Sequence, residues 1–430
     1  MAKEAYCMNS SSILTIKKST LDNANVVGTF FVFIYVFSFY IVGPITSSIL
    51  GAVIVFPVLL KPSARRVLFQ TISTRYAVGL LSINILLIAL GLSYSILHGT
   101  YDLSYIKILF AQAIHIICGF CIVAYLKYKY DIDTSTIIRL IIYAYIIQSG
   151  IEMIASANPT IAAMLLPFNK ADMAQESSAL IGVALASATT WSLGLTYGIA
   201  FILYAHQYMM HRMNAKVVIG WFCLVVGTSF AGRTGFLGAI ISIVYFLIFS
   251  QIGFIKKLSF FGYIIAAIIG LIIIIFTIFP SYVELLVLKI LPWALEPLFN
   301  LLDGNDFSSA STDRLGEMWE VLPTFQEALL GTGHFTNADG SYYLHTDVGI
   351  LRNLFYWGVF GYGAIIIYQI FTIYPLFRKG RSYKVLACLI LLYIFITEYK
   401  AVTIGLNKMT FSILFLLSFF SLRNKREKTT

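Results

Sequence analysis

The sequence predicts an all-α polytopic membrane protein, a single domain over residues 1–430 with about 12 transmembrane helices. Three observations predict it. The 430 residues are 59% hydrophobic and only 12% charged, with a mean hydropathy of +0.84, far outside the balance of soluble domains. Apolar runs of about 20 residues, each long enough to span roughly 30 Å of hydrocarbon as a helix, recur along the whole chain. Basic residues gather in alternate connections between those runs.

The runs lie at 25–44, 45–60, 76–97, 108–126, 135–155, 179–205, 217–231, 235–254, 258–280, 353–377, 385–399 and 403–422. Two of them, 45–60 and 217–231, are short enough to be tilted, extended or partly re-entrant. The N-terminal segment lacks the apolar core and small-residue cleavage site of a signal peptide, so the first run is expected to be retained. The basic clusters Lys61, Arg65 and Arg66; Lys127 and Lys129; Arg212 and Lys216; Lys256 and Lys257; and Arg378, Lys379, Arg381 and Lys384 fall on one side, with both termini. That side carries 22 Lys/Arg against five acids, a net of +17, and the other carries eight against 15, a net of −7; together they make the chain's +10. The basic side is expected to be cytoplasmic. Basic composition therefore reports orientation, and a nucleic-acid partner has little support.

The cysteines, Cys7, Cys118, Cys121, Cys223 and Cys388, fall in the inner tail or in spans. No disulfide framework is implied. "CGFC" at Cys118–Cys121 has the letters of a redox pair, but inside an apolar span it reads as helix packing. His115 and Glu152, in or at the ends of spans, are the kind of group that marks an ion or proton path, although two isolated residues make no relay. Nucleotide-binding, zincin and hydrolase-elbow motifs are absent from the sequence.

Two outer segments break the pattern of short connections: 156–178, and a large loop over 281–352, expected to face the periplasm. Loops of that size usually carry function. Within the large one, "SYVELLVLKILPWALEPLFNLL" is apolar but interrupted by Pro292 and Pro297, which suits helices lying in the membrane interface. "TDRLGEMWEVLP" then predicts an amphipathic helix with Asp313 as N-cap and Leu315, Met318, Trp319 and Leu322 as its apolar stripe.

The candidate site residues gather at this outer face. Arg233 sits in the tight turn "AGRTG", where the positive-inside rule disfavours a cation; the bland alternative is a snorkelling arginine. Gly232 and Gly235 on either side would let a large anion approach the backbone, and a guanidinium offers a planar fork for phosphate. Arg314 in the amphipathic helix reads equally as a solvated ion pair with Asp313 or Glu317. Arg352, at the outer end of the tenth run, reads as an interface anchor or as a functional cation. If that stretch is helical, His345, Gly349 and Arg352 share a face and Asp347 points elsewhere. His345 or Asp347 can act as a base at neutral pH, and His334 competes with His345.

Three pieces in order, "FAGRTG", "STDRLGEMWEVLP…LLGTGHF" and "LHTDVGILRNLFYWGVFGYG", resemble bacterial O-antigen and capsule repeat-unit polymerases of the Wzy type and, more distantly, the related O-antigen ligases. The resemblance covers about residues 217–365. It rests on Arg314 followed by Trp319, the turn Gly331-x-Gly333, and His345 and Asp347 before a helix bearing Gly358 and Gly361. Ligases often have His followed by Asn where this chain has "HTD". The resemblance implies a GT-C-like membrane glycosyltransferase of the bacterial inner membrane, working without metal or cofactor at the periplasmic face. Its implied partners are undecaprenyl-pyrophosphate-linked oligosaccharides as donor and acceptor, membrane lipids and a chain-length regulator. It assigns Arg233, Arg314 and Arg352 to the pyrophosphate and His345 or Asp347 to the base. The rival readings are a ligase transferring glycan to lipid A core, and a transporter or flippase of lipid-linked oligosaccharides.

Overall fold

The computed structural model describes residues 24–169, 183–210, 214–278, 296–304 and 310–422. Each of the twelve apolar runs contains a helix within these residues. In chain order they are α1 Ala24–Phe37, α2 Ser47–Leu59, α3 Pro62–Ile72, α4 Arg75–Leu97, α5 Ser104–Tyr130, α6 Thr134–Ala157, α7 Pro159–Leu165, α8 Trp191–Tyr204, α9 Ala215–Ala231, α10 Thr234–Phe249 and α11 Phe254–Ile278. Then follow α12 Glu296–Leu302, α13 Ala310–Glu320, α14 Phe325–Leu330, α15 Gly349–Phe377, α16 Arg381–Glu398 and α17 Lys408–Ser421. The only sheet among the described residues is a small hairpin, β1 Tyr40–Val42 with β2 Ile45–Thr46.

Four helices, α4, α5, α6 and α15, are long and apolar enough to cross a membrane, and six shorter helical segments are apolar. Their outer faces agree with contact to hydrocarbon: Ile85, Leu86 and Ile96 on α4, Phe110 and Ile117 on α5, and Phe360 and Ile367 on α15 are all exposed. Backbone polar groups in such helices are satisfied internally, which is what lets a chain of this composition fold in lipid. One continuous core, rich in buried aromatics, runs through the bundle.

Several boundaries differ from the expectation. The first helix stops at Phe37 rather than continuing to 44, because Ser38 takes a left-handed φ of 42° and the chain turns through Gly43 into the hairpin. In the run expected at 179–205, helix begins only at Trp191; the Ala/Ser/Thr-rich approach from Val183 is irregular yet largely buried, with the Ser187 N–H donated to the Phe37 carbonyl. The basic cluster at Lys61–Arg66 is no plain loop: Pro62 opens α3, an amphipathic helix.

The closest helix pair is α8 with α10. A Cβ on Gly194 would stand 2.5 Å from the Gly232 carbonyl oxygen, and one on Gly235 would stand 2.6 Å from that of Gly194. Small residues let the two backbones meet, as is common in membrane bundles. Gly232 and Gly235 are therefore filled by helix packing and present no open face to an anion, contrary to the sequence reading. The segment expected to form interfacial helices at 281–302 is described only from Glu296, where α12 begins; residues 281–295 lie outside the described residues.

Candidate functional site

The site forms where the C-terminal ends of α4, α9 and α16 meet the N-terminal ends of α5, α10, α15 and α17, together with the loop over 331–348. These are the connections the charge asymmetry assigned to the outer side. The loop is anchored by Asp102, in the turn between α4 and α5. Its carboxylate accepts the N–H of Ser104 at 2.9 Å, those of Phe335 and Thr336 at 2.7 Å each, and the Thr336 hydroxyl at 3.1 Å. Burial pushes the Asp102 carboxyl up, but the backbone N–H donors outweigh it and hold it below the usual carboxylate range. The Thr100 hydroxyl adds a bond to the Gly333 carbonyl.

The same loop is spliced into α15. At Gly358 the helix breaks, with φ 61° and ψ −178°, so the carbonyls of Phe355 and Tyr356 lose regular helical partners. Thr332 supplies them: its N–H and its hydroxyl both donate to Phe355, and the Gly333 N–H donates to Tyr356. The Gly331-x-Gly333 turn is needed because Gly331 has φ 74° and a Cβ there would strike the Tyr356 carbonyl and the Gly358 nitrogen at 2.6 and 2.7 Å.

Splice and anchor together build a cage around Arg352. Its guanidinium carbon lies 4.0 Å from the centroid of Phe335 on one side and 3.7 Å from that of Tyr342 on the other. The side chain is 5% exposed, and its Nε and Nη2 have no hydrogen-bond partner among the described residues. Two aromatic faces stabilise a desolvated guanidinium by about 2 kcal/mol each but leave its Nε and Nη2 N–H groups unused. On the neighbouring position, Asn353 donates to Glu398 at 2.8 Å and accepts from the Tyr105 hydroxyl at 3.0 Å. Glu398 in turn accepts the N–H groups of Thr403 and Ile404 at 2.6 and 2.7 Å. This carboxylate holds the irregular, buried stretch between α16 and α17 in place.

That stretch begins with Lys400. Burial first, and the charge of Arg233 second, pull its ammonium below the ordinary lysine range, while Asp347 acts in the opposite sense. Lys400 thus links Arg233 to Asp347, and Asp347 also acts on Arg352. Arg233 is the first residue before α10 and forms an ion pair at 2.9 Å with Glu296 of α12, both side chains partly exposed.

The remaining candidates fall elsewhere. His345 is not on the α15 face: the helix starts at Gly349, and Leu344 and His345 both have left-handed φ, 53° and 54°, in a short 3-10 turn. The His345 side chain is exposed and acts on the Asp339 carboxylate at the loop tip, whereas Asp347 lies with the cations. His334 stacks on Tyr343 at 5.0 Å. Asp313 is not an N-cap, because α13 begins at Ala310 and places it inside the first turn. The stripe of α13 packs as expected through Leu315, Met318 and Trp319 on Val348, Leu351 and Phe355, but Leu322 is exposed beyond the helix end and Val321 takes its place. Trp319 also stacks on Tyr399 at 4.5 Å. Arg314 is exposed on this helix and pairs with neither Asp313 nor Glu317 among the described residues.

Asp102, Glu398 and Lys400 were missed by the sequence reading. Lys400 had a signal, since it is a second cation in a short outer connection, as Arg233 is. Compared with known proteins, the chain matches no family model, no curated protein and no solved structure.

Proposed function

We propose that the chain is a membrane glycosyltransferase that joins undecaprenyl-pyrophosphate-linked oligosaccharide repeat units into O-antigen or capsular polysaccharide, acting at the periplasmic face of the bacterial inner membrane. One observation carries the reading: the caged, buried guanidinium of Arg352, with its Nε and Nη2 unused, in one charge cluster with Asp347, Lys400 and Arg233. With 22 of the 30 Lys/Arg on the basic side, helix packing gives no reason for three of the remaining eight to share one cluster at the opposite helix ends. Their common use is to hold an anion, and the anion available at a membrane surface with a sugar attached is a lipid pyrophosphate.

The chemistry follows from that. The terminal sugar hydroxyl of the acceptor repeat unit attacks the anomeric carbon of the growing chain. The bond from that carbon to the pyrophosphate oxygen breaks, and undecaprenyl pyrophosphate leaves with the electron pair. Arg352, Arg233 and Lys400 stabilise the charge gathering on the departing group. Asp347 accepts the hydroxyl proton, with His345 as the alternative base and Arg314 as a further cation at the rim. About twelve spans in a GT-C-like bundle, both termini cytoplasmic and 281–352 as the periplasmic loop complete the reading.

The purified protein in nanodiscs, given lipid-linked repeat units from its host, should produce a ladder of lengths with release of undecaprenyl pyrophosphate. Transfer only when lipid A core is added makes it a ligase; neither product refutes the glycosyltransferase reading and leaves transport of the same lipid-linked sugars.

A further inference from the structure

A second polar centre lies inside the bundle, between α6 and α8. On α6, Gln148 and Glu152 are one turn apart on the same face and are 0% and 1% exposed. The Tyr197 hydroxyl of α8 donates to Glu152 Oε1 at 2.9 Å and shares a hydrogen bond of 3.1 Å with the Ser149 hydroxyl. Helix α9 closes the centre: a Cβ on Gly227 would strike the Ser149 and Tyr197 hydroxyl oxygens, so glycine is required there.

The centre is incompletely satisfied in a concentrated way. Glu152 Oε2, both amide atoms of Gln148 and the Tyr145 hydroxyl are buried and make no hydrogen bond of good geometry, although Gln148 stands near enough to Glu152, and Thr196 near enough to Tyr145, to act on them. A few such atoms scattered over a chain are ordinary, but four on adjacent turns of one helix call for an explanation. Among the described residues no Lys, Arg or His pairs with Glu152. A buried carboxyl with no countercharge must be neutralised by a proton or matched by a cation.

We propose that this centre binds one monovalent cation of the sodium type, ligated by oxygen atoms of Glu152 and Gln148 and by the neighbouring hydroxyls. The charge selects the valence. A single carboxylate neutralises a monovalent ion, whereas a divalent ion would leave a net positive charge sealed in the bundle. The donor set, one carboxylate oxygen, one amide oxygen and hydroxyls, is the hard-oxygen type that suits such ions and offers no nitrogen or sulfur for a transition metal. The ion would tie α6 to α8 beneath Gly227 of α9.

The test needs no sugar substrate, so its outcome is independent of the glycosyltransferase reading. The purified protein in nanodiscs is unfolded thermally in sodium, potassium or choline chloride at equal ionic strength. Sodium at about a hundred times its Kd should raise the midpoint by roughly 3 °C or more over choline. Glu152→Gln should lose that dependence while unfolding no earlier than the wild type does in choline. Equal midpoints in the three salts, or an undiminished sodium effect in Glu152→Gln, overturns the proposal. If Glu152→Gln does not fold, radiolabelled sodium binding to the wild type decides: saturable binding near one per chain supports the site, and its absence refutes it.

Discussion

The guanidinium carbon of Arg352 lies 4.0 Å from the ring centroid of Phe335, a contact that exists only because the loop carrying Phe335 is spliced into the break in α15. It holds a cation in place while leaving its Nε and Nη2 open. Arg352→Lys should therefore lower repeat-unit elongation at least about thirtyfold, because an ammonium cannot lie flat between two rings and still present a planar fork. Arg352→Met should abolish elongation yet unfold at the same temperature or higher, since it removes a buried charge that lacks an ion pair. Full elongation by the lysine variant would end the anion-holding role.

The two base candidates separate by position. Asp347 shares the cation cluster, while His345 sits exposed toward Asp339. Asp347→Asn should cut the elongation rate about a hundredfold with little change in donor KM, and His345→Ala should change it less than about fivefold. The opposite ranking would transfer the proton to His345.

Gly358 and Gly331 are each held at positive φ and face one another's backbone. Gly358→Ala and Gly331→Ala should each destabilise by roughly 2–4 kcal/mol, combining backbone strain with steric clash. Gly363, whose Cβ position is open, is the control, and its alanine variant should unfold with the wild type. Thermal unfolding of the three, followed in the same detergent, checks this.

Asp102→Asn should loosen the anchor of the 331–348 loop. The carboxylate is partly exposed, so the loss is about 1–2 kcal/mol rather than the full value of a buried charged hydrogen bond. Because the folded carboxyl is held below its unfolded value, its contribution is fully present above about pH 4. It disappears as pH falls through the lower, folded value. The gap in unfolding temperature between wild type and Asp102→Asn should hence be constant from pH 5 to 8 and close below pH 4. A gap that instead widened on acidification would contradict the anchoring role.

Arg233 and Glu296 form a partly exposed pair at 2.9 Å. Such a pair contributes less than about 1 kcal/mol. Glu296→Gln should leave stability within that limit and preserve or raise elongation by releasing Arg233 toward the donor, whereas Arg233→Ala should lower elongation sharply at normal protein levels. Equal losses in both variants would make the pair structural.

Some of the site was legible in the residues themselves. Arg233 and Asp347 stood out as charges in outer connections, and the stripe Leu315, Met318 and Trp319 announced the helix that covers α15. Other features were misread. Gly232 and Gly235 signal close backbone approach, but the letters cannot tell a helix from an anion as the thing approached. His345 has helical spacing to Arg352, yet the left-handed turn at Leu344 and His345 removes it from that face.

The sequence by itself determined the all-helical class, the position of the apolar helices and the asymmetry of charge between their ends. These are local properties, because hydrocarbon requires each apolar segment to satisfy its own backbone and water retains the charged connections. Only the tertiary structure decided that Asp102 holds Thr336 across 234 residues, that Gly331 seats against the break at Gly358, and that Glu152 and Gln148 meet the hydroxyl of Tyr197. Those contacts depend on which helix faces pack together, and packing is settled by the shape and volume of whole surfaces, which no short run of residues encodes.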